Sequence, residues 1–69
     1  MNRPWSDEEE MLLIDLYIYS LSHTNEEYES AVLVLSEVLR EKAIRANRNI
    51  SPTYRNPTGI KMKVHNIEY

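Results

Sequence analysis

Residues 51–67 read SPTYRNPTGIKMKVHNI, which combines a stiff turn with a short amphipathic helix. Asn56 suits the N-cap of that helix, and Pro57 suits its first position, where a missing N–H has no intrahelical partner. Ile60, Val64 and Ile67 recur at spacings of four and three residues, so they share one helical face. We therefore predict a helix at about residues 57–67 that packs onto the rest of the chain through this aliphatic face.

The same stretch carries positive charge. Lys61, Lys63 and His65 lie near or off the aliphatic face, and Arg55 precedes the helix. A docked helix with cations on and before it is one way in which a small domain presents a helix to DNA. The alternative is a third core helix whose lysines are only solvated.

Two further helices precede this segment. Ser6 followed by Glu9 forms a capping box, which predicts a first helix at about residues 7–20. Thr24 or Asn25 can cap a second helix at about residues 26–44. The run AVLVL at residues 31–35 has strand propensity, but it lies within a longer helical pattern, so we assign it to this helix. The sequence thus predicts one all-α domain over residues 1–69, a three-helix bundle with a long loop before the third helix.

Two aspects of the core are predicted. The first helix is apolar on more than one side, so we expect it to be central in the bundle, with an oligomer contact as the alternative. Trp5 and Tyr54 are expected to pack their rings into the core of so small a protein. For Tyr54, stacking on the base or sugar of a partner is the alternative.

The charge of the chain is polarised. Residues 1–37 hold nine acidic side chains and Arg3, a net charge of −8, whereas residues 38–69 have a net charge of +5, which gives −3 for the 69 residues. This argues against general affinity for polyanions but allows one local patch that faces phosphate. Acidic residues also favour helix N-termini and basic residues C-termini, so part of the asymmetry can reflect helix ends.

Several classes of function lack support in the sequence. The chain has no cysteine, and its two histidines lack the spacing of a helical zinc pair, so we expect no metal or cofactor. No spacing supports a catalytic triad, and Ser6 already has a capping role. No apolar run is long enough for a membrane span and no signal peptide is present, so a cytoplasmic protein is expected.

Two blocks carry a resemblance to known proteins. Trp5-Ser6-x-x-Glu9-Glu10 opens the first helix and, with two further helices after it, resembles the Myb/SANT-like three-helix DNA-binding domain of the helix-turn-helix type. RPWSDEE at residues 3–9 forms the first block of a closer resemblance. Paired with residues 51–67, it is similar to the N-terminal domain that precedes HNH nuclease domains in bacterial restriction-type endonucleases, some of them directed at modified DNA. In that family the opening tryptophan segment and a segment of the form R-N-P-x-G recur together.

The resemblance implies double-stranded DNA as the partner and no catalysis in this chain, since the nuclease motif would lie downstream. Both an excised domain and a short stand-alone relative fit it. A homodimer and a nuclease domain are further candidate partners. The matching segment supplies Arg55, Asn56, Thr58, Lys61 and Lys63 as candidate DNA-binding residues, and Arg45 and Arg48 are added as candidate phosphate contacts. For Arg55 the alternative is a salt bridge to an acidic helix start, and for Arg45 it is capping of carbonyl groups of the second helix. The alternative function is a protein-interaction or regulatory module that binds through the apolar first helix or the acidic face.

Overall fold

Three helices account for the fold of this computed structural model, which describes residues 5–46 and 48–67. They are α1 (Asp7–Ser22), α2 (Asn25–Arg45) and α3 (Pro57–Ile67), and each packs against the other two. The predicted all-α three-helix bundle is therefore confirmed, with boundaries within two residues of those expected. Arg3 and Pro4 of the opening block, and Asn47 of the long loop, lie outside the described residues.

The helix starts follow from local side-chain chemistry. At α1 the Glu9 N–H donates to Ser6 Oγ at 3.2 Å, and the Ser6 N–H donates to Glu9 Oε1 at 2.9 Å. Thr24 and Glu27 form the same reciprocal pair at the start of α2, so Thr24 is the cap. These bonds satisfy backbone donors that have no intrahelical partner.

The main hydrophobic cluster of the core receives one face of each helix. Its buried members come from all three helices: Leu13, Leu16, Val32, Ile60 and Val64. The predicted face of α3 is confirmed, since Ile60 and Val64 are buried and Ile67 packs against the cluster. The AVLVL run is helical, as expected. None of the helices in the described part of the chain combines the length and apolar character needed to cross a bilayer.

The expected central position of α1 is wrong. Only Leu13 and Leu16 of α1 are buried, whereas Met11 and Ile18 remain 58% and 57% exposed. A helix in a bundle of three has neighbours on one side only, and the described residues contain no further element that covers the other side. The additional apolar residues of α1 therefore lie on the surface.

The long loop between α2 and α3 is held by α2. The guanidinium of Arg40 donates from Nη1 to the carbonyl oxygens of Ser51, Pro52 and Tyr54, at 3.2, 3.2 and 2.6 Å. Tyr54 is buried, as expected for its ring. The loop thus delivers Tyr54 and the residue after it to the interior, immediately before α3 begins.

One buried hydroxyl holds the last residue of this loop before the α3 cap. Ser36 Oγ donates to the carbonyl oxygen of Arg55 at 2.7 Å, where Arg55 adopts a φ of 48° in the left-handed region that non-glycine residues rarely occupy. We expect Ser36→Ala to lower the free energy of unfolding by about 1–3 kcal/mol, because the buried carbonyl loses its partner. Urea unfolding followed by circular dichroism measures this change. The exposed Ser30→Ala is the matched control, and equal effects of the two substitutions would contradict the role assigned to Ser36.

Candidate nucleic-acid interface

The outward side of α3 forms a continuous exposed surface of mixed polar and apolar character, which we call the α3 face. It surrounds a shallow depression of about 310 Å³ whose lining residues all belong to α3: Thr58, Lys61, Met62, His65 and Asn66. Their spacings of three and four residues place them opposite Ile60 and Val64, which dock the helix. Met62, at the centre, is 64% exposed. The docking of α3 therefore leaves one side of the helix uncovered along its length.

Lys61 lies at the edge of the α3 face beside one carboxylate. Its Nζ is 3.0 and 3.2 Å from the two side-chain oxygens of Glu29 on α2, and the two side chains are 38% and 45% exposed. An ion pair this exposed contributes little to stability, because water screens it. Lys61 can therefore exchange Glu29 for a phosphate at small cost to the fold.

Arg55 does not lie on this surface, which corrects its assignment as a DNA contact and confirms the alternative, a salt bridge to an acidic helix start. Its side chain is only 3% exposed, and Nε and Nη2 donate to the two carboxylate oxygens of Glu9 at 3.0 and 3.1 Å. The guanidinium lies 4.0 Å from the ring centroid of Trp5 and 4.6 Å from that of Tyr54. Arg55 is thus a structural residue that joins the loop to the start of α1.

Asn56 serves the helix rather than an external partner. Its Oδ1 accepts a hydrogen bond from the Gly59 N–H at 2.8 Å, which confirms the predicted N-cap. A Cβ at position 59 would lie 2.8 Å from that same oxygen, so the only glycine of the chain leaves room for the cap. The carbonyl end of the Asn56 amide is therefore not available to read a base edge.

The remaining predicted cations lie elsewhere. Lys63 is half-buried, with Nζ 5.8 Å from the Trp5 ring centroid. Arg45 pairs with Glu41 along the exposed side of α2, and Arg48 lines a separate depression between α1, α2 and the loop. Of the predicted contacts, the structure brings only Thr58 and Lys61 together on the α3 face.

Sequence reasoning missed three members of the α3 face: Met62, His65 and Asn66. The prediction followed positive charge, whereas these side chains are uncharged or only weakly basic. A signal was present nevertheless. Once Ile60 and Val64 are assigned to the docking side, helical geometry places these three residues on the opposite side.

Burial and hydrogen bonding act in opposite directions on Glu9. Partial burial on its own raises the pKa of the Glu9 carboxyl, but hydrogen bonds from Arg55 and Ser6, together with the positive charge of Arg55, lower the pKa below the ordinary 4.5. The unfolded chain therefore takes up this proton at a higher pH than the folded protein.

We expect an acid-labile contribution to stability from Glu9. Because its folded pKa is lowered, this contribution is complete above a pH of about 4.5 and disappears as the pH falls through the folded pKa. Urea unfolding at several pH values between about 3 and 6 measures it. Glu9→Gln should flatten this part of the profile, whereas the exposed Glu10→Gln should not. A profile left unchanged by Glu9→Gln would contradict the assignment.

Within the described ranges, no three His, Asp or Glu side chains come together in a way that could hold a metal ion. Comparisons with protein-family models, curated proteins and solved structures found no match to this chain. The function is therefore inferred from the residues and their geometry.

Proposed function

We propose that this domain binds double-stranded DNA with the α3 face. The observation that carries the proposal is a helix docked on one side by buried Ile60 and Val64. Its other side is not covered by α1 or α2 and combines polar side chains with the apolar Met62. A helix presented in this way from a three-helix scaffold fits the major groove of DNA. Because the endonucleases that this chain resembles are bacterial, such a domain would act in the cytoplasm, where bacterial DNA lies.

The chemistry of the α3 face suits base recognition more than general attraction to phosphate. The Asn66 amide can pair with adenine, and the Thr58 hydroxyl can bond to several base edges. The thioether side chain of Met62 offers an apolar contact for a thymine methyl group. Lys61, at the rim, supplies a phosphate contact that fixes the position of the helix.

Contact between the two blocks that carry the family resemblance supports a recognition role in HNH restriction-type endonucleases. The first block provides Trp5 and Glu9, and the second provides Arg55, which bonds to Glu9 and stacks on Trp5. This contact fixes the approach to α3, so it offers a physical reason for the two blocks to occur together. We propose that this chain recognises DNA and that any cleavage belongs to a separate nuclease domain.

The proposed DNA contact is small. Eleven residues of α3 span about 16 Å, less than half of a DNA helical turn. We therefore expect modest affinity and a shallow dependence on salt, corresponding to about two to four phosphate contacts. A second DNA-binding element in the same assembly would be needed for a long recognition sequence.

Lys61→Ala tests the phosphate contact. We expect it to weaken duplex binding and to reduce the slope of log affinity against log salt by about one, while the fold is retained. Lys42→Ala is the matched control, because Lys42 also pairs with a glutamate, Glu8, but lies near the opposite end of α2 from Glu29. Fluorescence anisotropy over a salt series measures both variants.

The same titration with unmethylated and cytosine-methylated duplexes tests the modified-DNA aspect of the resemblance. A preference for one methylation state would support it. Absence of binding at low salt by a protein with intact helical circular dichroism would overturn the proposal for this domain. Equal losses of duplex affinity in Lys61→Ala and Lys42→Ala would show that binding depends only on the net charge of the domain. That result would also contradict recognition by α3.

A further inference from the structure

A second apolar stripe runs along the solvent side of α1, and we call it the α1 seam. It consists of Met11, Ile14, Ile18 and Leu21, which are 58%, 38%, 57% and 68% exposed. Their spacings of three, four and three residues are those of the a and d positions of a coiled coil. The core of the bundle uses a different side of the same helix, through Leu13 and Leu16. α1 therefore has one apolar face inside the protein and another with the spacing that a partner helix requires.

The other exposed apolar residues do not form such a seam. On α2, Leu33 and Ile44 are 56% and 57% exposed, but Glu37 and Arg40 lie between them on their side of the helix. Val34 and Val38 are 60% and 52% exposed, but the next positions on that side are Glu41 and Arg45. The heptad pattern is thus interrupted after two residues. This contrast singles out α1 as the surface with regular helical spacing.

The charges beside the α1 seam indicate the chemistry of its partner. α1 contains no lysine or arginine, and Glu10 and Asp15 occupy the positions that flank the a and d residues. Side chains at these flanking positions select the partner and its orientation in coiled coils. A helix that carries Lys or Arg beside its own apolar stripe would complement them.

A second copy of this chain fits less well. If two α1 helices paired in parallel, Glu10 of each copy would face Asp15 of the other. If they paired antiparallel with all four apolar residues matched, the two Asp15 side chains would share one edge of the seam. Both arrangements bring like charges together, which weakens coiled-coil pairing.

We propose that the α1 seam binds an amphipathic helix of another polypeptide, with apolar residues at heptad spacing and basic residues at the flanking positions. The seam extends about 15 Å from Met11 to Leu21, so it accommodates two to three turns of the partner helix. It shares no residue with the α3 face. Its occupation is thus independent of the proposed DNA contact.

Two synthetic 21-residue helical peptides test the proposal against the full chain. Both carry Ile and Leu at the a and d positions, and they differ only in having Lys or Glu at the flanking positions. Isothermal titration calorimetry at physiological salt is expected to show binding of the Lys peptide and none of the Glu peptide. Equal binding of both peptides, or binding of neither, would overturn the proposal.

Seam variants separate specific docking from simple charge attraction. Ile18→Glu and Leu21→Glu add a negative charge, so nonspecific attraction would strengthen their binding of the Lys peptide. Docking in the seam predicts instead that their affinity for the Lys peptide falls at least tenfold. The control Val34→Glu adds the same charge, and its affinity for the Lys peptide should stay close to that of the unsubstituted protein. Circular dichroism verifies the fold of each variant. Equal affinities of the three variants for the Lys peptide would contradict the proposal. The proposal would also be contradicted if the unsubstituted protein sedimented as a dimer and Ile18→Glu dissociated that dimer.

Discussion

Arg55→Met is expected to lower the free energy of unfolding by about 3 kcal/mol, because removing one partner of a buried ion pair leaves the other charge without compensation. Arg55 is the most buried charged side chain of the described residues, and it contacts Glu9, Trp5 and Tyr54 at once. Glu9 keeps its bonds to Ser6, which places the loss at the lower end of the range for buried pairs. For a domain of this size, such a loss lowers the melting temperature by about 12–24 °C.

Thermal and urea unfolding followed by circular dichroism measure this loss. The matched control is Arg45→Met, because Arg45 also pairs with a glutamate but its side chain is 79% exposed. Its expected effect is below about 0.5 kcal/mol. Arg55→Lys should retain the charge but lose the bidentate bond and much of the stacking. Its free energy of unfolding should therefore lie between those of Arg55→Met and Arg45→Met. Equal melting temperatures for Arg55→Met and Arg45→Met would contradict the structural role of Arg55.

Met62→Glu is expected to weaken duplex binding at least tenfold, roughly 1.4 kcal/mol or more, while the fold is retained. The new carboxylate would stand at the centre of the α3 face, where it would repel phosphates and replace an apolar contact with a charged group. Met62 is 64% exposed, so the substitution removes little buried surface. Anisotropy titrations at low salt provide the measurement.

Leu33→Glu is the matched control for Met62→Glu. Leu33 is 56% exposed on α2, outside the α3 face, and the substitution changes net charge by the same amount. We expect a much smaller loss of affinity, which reflects only the added negative charge of the whole domain. If Leu33→Glu weakened binding as much as Met62→Glu, the contact would not be centred on α3.

The fold was predictable because its signals are local. Each helix start has a capping residue within three positions of its partner, as at Ser6 and Asn56, and the docking side of α3 follows from the spacing of Ile60 and Val64. The excess of apolar residues in α1 was also visible. The position of α1 in the bundle was not predictable, because composition alone does not distinguish a helix surrounded by neighbours from one with a second apolar face on the surface.

The candidate site was less predictable because it depends on contacts between distant parts of the chain. Arg55 meets Glu9 across 46 positions, and Lys61 meets Glu29 across 32. At Arg55 the sequence left both a DNA contact and a salt bridge to an acidic helix start open. The left-handed backbone at that residue, held by the Ser36 hydroxyl, directs the chain inward in a way that no local pattern indicated.

The most direct test of DNA recognition by α3 is a two-dimensional ¹⁵N–¹H NMR titration of the uniformly labelled protein with a short DNA duplex. The amide signals expected to shift most are those of Thr58, Lys61, Met62, His65 and Asn66, while those of the α1 seam stay close to their free positions. Saturable shifts confined to the α3 face would support recognition by α3. Shifts centred on α1 or on the Arg48 depression, or none at low salt, would contradict it.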